Sequence, residues 1–398
     1  MIETEPGTHS TADLPTPTYH IELRDYLKSA EPELWAWFTQ TVDMASQTDD
    51  EAELALLKSA YRLDGGVHDV LVGYATLLAE RFELSQPVAL YQELNGTERN
   101  ARVFRLNGRI NVVFGGDLLD LLTVTEQQAV LAHELAHIAL WSRSGWDFYV
   151  LDQMIHRLAS DPQADDALVE TARRLRLHTE VWADAASAAV GDLSTSVSAI
   201  VKVASGLRHV DPGAYLRQAE EILALDSSAT AAWTHPELHI RIACLSARAR
   251  NAAADRLATL INGPDDLDRL DVLGQRRIQH LTARVLSAAQ QNAASTDVGA
   301  SDGVTNYLDN FPELSDIDAA SPIDRGELAD QQASVRWLAA SLLVDLALVD
   351  DNIDGLAELQ AFSAEAQRQG VAAEFDKILA RATDRSEVEA RKLREATE

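Results

Sequence analysis

Two histidines and a glutamate in the segment His133-Glu134-Leu135-Ala136-His137 have residue types and spacing suited to metal chemistry. Residues i and i+4 of a helix lie on the same face, so the two imidazoles can converge on one metal ion. Glu134 lies beside that face, where its carboxylate can take a proton from a metal-bound water. Zinc lowers the pKa of such a water towards neutrality. The spacing therefore predicts a zinc (Zn2+) site with Glu134 as the general base.

A catalytic zinc site needs a third protein ligand and an open position for water. The extended pattern HExxHxxGxxH is excluded, because Leu140 and Arg143 stand where it requires Gly and His. Glu180 is the better candidate for the third ligand, with Asp184 one helical turn later to accept the N–H of a zinc-bound histidine. His178 competes with Glu180 for this role, since the spacing alone does not decide between them.

The metal-binding segment needs a helix to bring its histidines together. Thr125 and Gln128 can form a capping box, which predicts a helix from Glu126 to about Trp141. Further helices are expected over 150–158, 164–190, 195–208, 213–225, 236–262 and 270–290.

A β-hairpin is predicted immediately before this helix. The pair Asn107-Gly108 lies between the β-prone segments 102–106 and 110–114, which is a strong hairpin signal, although Arg109 leaves the exact turn register open. Residues 87–91 predict another short strand. The chain from residue 21 to about residue 84 has a helical pattern instead.

The composition excludes several classes of partner. The net charge of −29 opposes binding to nucleic acid and to anionic membrane surfaces. The single cysteine, Cys244, cannot form an internal disulfide, and the first residues show no basic and apolar secretory signal. No run of about 20 apolar residues predicts a membrane span. We therefore expect a cytoplasmic protein.

Four segments in this order resemble a family of zinc peptidases, the gluzincins that include the CAAX prenyl proteases and the heat-shock peptidases of the HtpX type. The segments are Asn100-Ala101, residues 128–138 around the two histidines, residues 180–184 from Glu180 to Asp184, and Thr234-His235-Pro236 followed by Arg241-Ile242. The resemblance covers residues from about 85 to 250 and implies a metalloprotease, a hydrolase whose zinc ligands are His133, His137 and Glu180.

The resemblance also implies roles around the metal. Asp184 and Arg241 would support the site by hydrogen bonds or charge, and His235 would lie near the metal and stabilise the oxyanion of the tetrahedral intermediate. Asn100 would do the same or hold the substrate. Residues 103–106 would form the edge strand to which an extended peptide adds through backbone hydrogen bonds.

Well-known members of this family carry membrane-spanning helices or export signals, and neither is predicted here. Soluble peptides or unfolded proteins are therefore the expected substrates. We expect an α+β, mostly α-helical fold with a zincin-like domain and helical additions on both sides. The expected ranges are a flexible tail (1–18), a helical N-terminal segment (19–84), the peptidase domain (85–262), a helical extension (263–290), an acidic linker (291–330) and a helical C-terminal module (331–398).

The C-terminal module has a weak resemblance to the helical TerB-like modules of stress systems, which implies a possible protein partner. Its acidic turn also imitates a calcium loop, since Asp350, Asn352, Asp354 and Gly355 match the first positions. Ala361 stands where a bidentate glutamate is required, which argues against calcium binding.

Two other hypotheses remain open at this point. The chain could be a stress-linked protein-interaction scaffold in which the zinc site is structural. It could also be an autoinhibited protease, in which the C-terminal module or the N-terminal helices cover the cleft.

Overall fold

The structure is a computed structural model that describes residues 14–45, 49–225, 237–250, 252, 257, 260–262, 267–295, 302–311, 323, 328, 331–349 and 356–389. The chain divides into two compact units, Met1–Gly263 and Pro264–Glu398. The described residues are mostly helical with one small mixed sheet, which confirms the α+β, mostly α-helical class. Among them, no helix has both the length and the apolar character needed to cross a membrane.

The first unit contains the sheet and the segment predicted to bind the metal. Its elements are α1 (Thr18–Ala30), α2 (Pro32–Ala45), α3 (Asp50–Ser59), β1 (Ala60–Arg62), α4 (Asp69–Arg81), β2 (Val88–Glu93), β3 (Ala101–Leu106), β4 (Arg109–Phe114), α5 (Leu118–Leu121), α6 (Val124–Trp141), α7 (Arg143–Ala159), α8 (Asp166–Val190), α9 (Leu193–Ser205), α10 (Pro212–Leu225) and α11 (Leu238–Ala249).

The predicted hairpin is confirmed. Leu106 pairs with Arg109, so the loop consists of Asn107 and Gly108 alone, and their φ angles of 51° and 69° are those of a type I′ turn. The strands lie in the order β1-β2-β4-β3, with β2 and β4 parallel and the other pairs antiparallel. β3 therefore lies at an edge of the sheet, as the family resemblance implies.

β1 contradicts the prediction of helices only between residues 21 and 84. Ala60, Tyr61 and Arg62 pair antiparallel with residues 91–93 of β2. A strand of three residues has too little periodicity to identify it locally, and its hydrogen bonds come from a strand about 30 residues away.

One face of the sheet packs on α6, the helix that carries His133 and His137. Ile110 and Val112 of β4 share a buried core with Leu131 and Leu135 of α6 and with Leu78 of α4. The opposite face packs on α3 through Leu56. Because apolar contacts surround α6 on most sides, its side chains are held in a close-packed environment.

The start of α6 differs from the predicted one. The capping residue is Thr123, whose hydroxyl accepts from the Glu126 N–H while the Glu126 carboxylate accepts from the Thr123 N–H. The predicted box of Thr125 and Gln128 is wrong by two residues. Glu126 is favoured over Gln128 as the second residue of the capping box, because its carboxylate also binds Lys202 and Ser198 of α9, at 2.8 and 2.6 Å.

Two other helix boundaries also differ. α7 spans Arg143–Ala159, but Ser144, Gly145 and Trp146 form a left-handed turn inside it with φ angles of 53°, 69° and 72°, so its regular right-handed turns begin at Asp147 rather than 150. The helix predicted over 236–262 ends at Ala249, where the Ala252 N–H bonds back to the Ala247 carbonyl.

The last residues of the predicted tail are bound to the first unit. Arg143 donates to the Leu14 carbonyl at 2.8 Å and to the Thr16 hydroxyl at 3.0 Å, and the indole N–H of Trp182 donates to the Pro15 carbonyl at 3.0 Å. Residues 1–13 lie outside the described part of the chain.

The second unit is a helical bundle. Its helices are α12 (Val272–Ser295), α13 (Asp302–Leu308), α14 (Ala333–Leu348), α15 (Leu356–Gln369) and α16 (Ala372–Ala382). Val285, Leu343, Phe362 and Phe375 share its core, so α12 packs with the C-terminal helices. α13 and the end of α12 lie within the range predicted as a linker. The turn at 350–355 that imitates a calcium loop lies outside the described residues.

Candidate metal centre

The histidine pair on α6 meets a carboxylate from α8. The Nε2 atoms of His133 and His137 are 3.2 Å apart. Glu180 places one carboxylate oxygen 3.4 Å from His133 Nε2 and the other 3.8 Å from His137 Nε2. The three predicted ligands therefore face one another.

Small side chains allow the two helices to approach this closely. Ala132 and Ala136 of α6 and Ala183 and Ala186 of α8 are fully buried in one core. Alanine at a helix–helix contact shortens the distance between the backbones, which lets the side chains beside it meet.

Two glutamates are near the histidines. Donor atoms of His133, Glu134 and His137 all lie within 4.8 Å of one another. Glu180 directs its two carboxylate oxygens at the two Nε2 atoms, at 3.4 and 3.8 Å. Glu180 is therefore the better candidate for the third ligand, and Glu134 lies beside the pair as the candidate general base.

The other ring nitrogen of His133 is bound by a second carboxylate. Asp184 Oδ1 lies 2.9 Å from His133 Nδ1, one helical turn after Glu180. Arg241 of α11 donates to both oxygens of Asp184, at 2.7 and 2.6 Å, and to Glu180 at 2.9 Å. The geometry predicted for Asp184 and Arg241 is therefore present.

The carboxylates of the centre favour positive charge at His133. Burial alone would lower the pKa of His133, but Asp184 and Glu180 outweigh it and raise that pKa to about 10. Burial, together with the charge of His133, lowers the pKa of His137 to about 4. Burial alone would raise the pKa of Glu180, but Arg241 and the two histidines hold it well below its usual value. Burial raises the pKa of Glu134 to about 7.

The donor set fits a zinc ion. A neutral imidazole has one N–H, so His133 cannot satisfy acceptors at both ring nitrogens unless it carries a positive charge. A metal ion at Nε2 meets the same need and leaves the Nδ1 proton for Asp184. Ligands of a tetrahedral zinc lie about 3.3 Å apart, because each zinc–nitrogen bond is about 2.0–2.1 Å long. The separations of 3.2, 3.4 and 3.8 Å are close to this value.

His178 is excluded as the alternative third ligand. Its Nε2 atom lies 2.8 Å from the side-chain oxygen of Asn262, and its ring stacks on Tyr19 with the centroids 4.7 Å apart. Two helical positions separate His178 from Glu180, which turns their side chains about 200° away from each other. His178 therefore lies on the side of α8 that faces away from His133.

The remaining predicted site residues are not brought into this cluster. Asn100 precedes β3, its side chain is exposed, and its carbonyl accepts from the Gly115 N–H at 2.7 Å. His235 and the whole segment Thr234-His235-Pro236 lie outside the described residues, so their roles stay predictions.

Sequence reasoning missed two supports of the centre. Trp141 lies one turn after His137, and its ring is 5.5 Å from that imidazole. The i+4 spacing is a signal that could have indicated this contact. Arg173 of α8 binds both oxygens of Glu237, at 3.2 and 3.0 Å, and thereby fixes the start of the helix that carries Arg241. This second contact has no local signal in the sequence.

Comparison of the chain with protein-family models, with curated proteins and with solved structures found no match.

Proposed function

We propose that the first unit is a zinc-dependent metalloendopeptidase that hydrolyses peptide bonds in soluble peptides or unfolded proteins. The observation that carries this proposal is the convergence of His133, His137 and Glu180 at 3.2 to 3.8 Å beside the buried carboxylate of Glu134. A site with three protein ligands and a neighbouring acid–base group is typical of catalytic rather than structural zinc.

Each residue of the centre has a task in this proposal. His133, His137 and Glu180 would hold the ion, which when bound lowers the pKa of a water ligand and polarises the scissile carbonyl. Asp184 keeps the proton of His133 on Nδ1, so that the lone pair of Nε2 would be available to the ion. Arg241 balances the charges of both carboxylates.

Glu134 moves the proton in this mechanism. Its carboxylate takes a proton from the attacking water and passes it to the nitrogen of the leaving amine, so that one group acts first as base and then as acid. Burial raises the pKa of Glu134 to about 7 without a metal, and the charge of a bound ion would lower it again, which keeps the group an ionised carboxylate able to accept the proton.

The substrate chain would bind along β3. An edge strand has unpaired backbone N–H and C=O groups, to which an extended peptide can add with little dependence on its sequence. We place the activity in the cytoplasm, where Cys244, buried and single, would remain a thiol.

Zinc content is the first test. Purified protein should contain about one zinc per chain, and Glu180→Ala should contain clearly less, whereas the exposed control Glu80→Ala should match the wild type. Absence of zinc from folded wild-type protein would contradict the proposal. Full zinc content in Glu180→Ala would assign the third ligand to another residue.

Hydrolysis is the second test. Glu134→Ala should keep most of its zinc but cleave an unfolded protein such as reduced casein about 10²- to 10⁴-fold more slowly, since that is the usual contribution of a general base. Equal rates for Glu134→Ala and wild type would refute the mechanism. Bound zinc without hydrolysis in the wild type would favour the interaction scaffold.

A further inference from the structure

Arg105 lies on the edge strand, on the face that looks towards the metal-binding helix. Ala101 and Val103, at alternate positions of β3, pack into the core that contains α6, and Arg105 continues the same face. Its guanidinium carbon lies 3.8 Å from the centroid of the Trp146 ring, which is a close cation–π contact.

An aromatic path joins Arg105 to a proposed zinc ligand. The ring of Trp146 is 6.1 Å from that of Tyr149, which is 5.5 Å from Trp141, and Trp141 is 5.5 Å from His137. An extended peptide advances about 3.3 Å per residue, so it spans this path in roughly six residues or fewer. Arg105 therefore lies within the reach of a peptide cleaved at the metal centre.

The ring under Arg105 is held by a strained turn. Ser144 and Trp146 are in the left-handed region, with φ angles of 53° and 72°, a conformation that is unfavourable for residues other than glycine. The first helix fixes this turn from the outside, because Arg24 donates to the Ser144 hydroxyl at 3.2 Å and Lys28 pairs with Asp147 at 2.6 Å. Strain of this kind persists where the surroundings hold it in place, and it is concentrated at binding sites.

Arg105 is also free to take a carboxylate. Its neighbours Arg99 and Arg102 pair with Asp117 and Glu93, whereas Arg105 makes no ion pair with any residue that the structure describes. The contact with Trp146 uses the flat face of the guanidinium and leaves its N–H edges available. Those edges match the two oxygens of a carboxylate.

We propose that Arg105, supported by Trp146, is a specificity-determining residue that selects peptides with an aspartate or glutamate close to the scissile bond. This inference rests on the proposed peptidase function. The net charge of −29 repels acidic peptides at long range, but salt screens this repulsion beyond about 8–10 Å. At contact distance the guanidinium of Arg105 therefore determines the preference for an acidic residue in the peptide.

Quenched fluorescent peptides of one neutral sequence test this proposal on the full-length, zinc-loaded chain. A single Gln is moved through the positions around the cleaved bond and replaced by Glu or by Lys. At one position the kcat/KM of wild type for the Glu peptide should exceed that for the Gln peptide by about tenfold. This ratio is the lower end of the range for a charge-assisted hydrogen bond at a partly exposed site. Arg105→Ala should bring this ratio near one, Arg105→Lys should keep part of it, and Arg105→Glu should favour Lys.

Arg109→Ala is the matched control. Arg109 is on the same hairpin and makes no ion pair with a described residue, but it alternates onto the opposite face of the sheet, so its loss should leave the ratio unchanged. A ratio near one in wild type, an unchanged ratio in Arg105→Ala, or an equal loss in Arg109→Ala would overturn the proposal.

Binding of the same sequences, carrying the fluorophore without the quencher, to zinc-loaded Glu134→Gln, measured by fluorescence anisotropy, separates this inference from the proposed function. If no peptide of any charge is hydrolysed by wild type, the peptidase proposal fails. The dissociation constants for the Glu and Gln peptides then still decide whether Arg105 selects acidic chains, and an absence of binding or of any difference would refute it.

Discussion

Replacement of Asp184 by asparagine should weaken both zinc binding and the fold of the first unit. Asp184 is almost fully buried and holds three contacts at once, two with Arg241 at 2.7 and 2.6 Å and one with His133 Nδ1 at 2.9 Å. Asparagine has the same size but carries no charge and presents an NH2 group to one of these donors. Arg241 would then keep only Glu180 as its acidic partner at the centre.

The burial of Asp184 sets the size of the expected loss of stability. Removing one partner of a buried ion pair costs about 3–5 kcal/mol, because the other charge stays desolvated. Asparagine keeps one acceptor, so we expect about 3 kcal/mol. Loss of the carboxylate that orients a metal-binding histidine lowers metal affinity by roughly 10- to 100-fold.

Two assays measure these effects separately. Six of the seven tryptophans precede residue 264, so their fluorescence during urea unfolding reports mainly on the first unit. Competition with a zinc-sensitive dye gives the affinity. Asp117→Asn is the control, because its pair with Arg99 is exposed and contributes at most about 1 kcal/mol.

The reasoning would be refuted if Asp184→Asn bound zinc as tightly as wild type and unfolded at the same urea concentration. A loss of stability without a loss of zinc affinity would show that Asp184 supports the helices but does not orient His133. A double-mutant cycle with Arg241→Met measures how much of the stability belongs to the pair itself.

Two further predictions concern the fold around the centre. Burial, and next the charge of His178, lower the pKa of His20 from 6.5 to about 3, so below pH 6.5 the unfolded chain binds a proton that the folded chain does not. Stability should therefore fall as pH falls, by about 2 kcal/mol between pH 8 and pH 5 for this group, and His20→Phe should lose that part of the slope in urea unfolding. Lys202→Met should cost about 3–5 kcal/mol by leaving Glu126 buried without its cation, whereas Arg250→Met, which breaks an exposed pair, should change unfolding by less than about 1 kcal/mol.

Local patterns predicted the parts of the site that depend on local geometry. The i, i+4 rule places His133 beside His137 whatever the rest of the fold does, and Asn107-Gly108 fixes a two-residue turn through its own backbone preferences. The predicted capping box was wrong because the sequence offers two candidate pairs, Thr125 with Gln128 and Thr123 with Glu126. Thr123 prevails through the contacts of Glu126 with a distant helix, which no local rule contains.

The choice between Glu180 and His178 depends on which face of α8 meets α6. Both residues lie on one helix, and sequence spacing gives their angle to each other but not the direction in which either points. The alanines shared by the two helices decide that direction. A periodicity argument that paired Ala132 and Ala136 with Ala183 would have favoured Glu180.

The contact of Arg105 with Trp146 was beyond sequence reasoning for a different reason. It needs three consecutive left-handed residues, Ser144, Gly145 and Trp146, and of these only the glycine favours that region by itself. The energy that supports this conformation comes from Arg24 and Lys28, more than 110 residues earlier in the chain. Conformations that oppose local preferences cannot be predicted from those preferences.

α8 links the N-terminal segment to the metal centre through its two opposite faces. Glu180 and Asp184 are one turn apart on the face towards α6, whereas His178 and Trp182, also one turn apart, hold Tyr19 and the Pro15 carbonyl. Any rotation of α8 that separated the carboxylates from the histidines would also break the contacts on the other face. The N-terminal residues therefore stabilise the orientation of the ligands without touching them, which gives the helical addition before the sheet a defined role in the proposed enzyme.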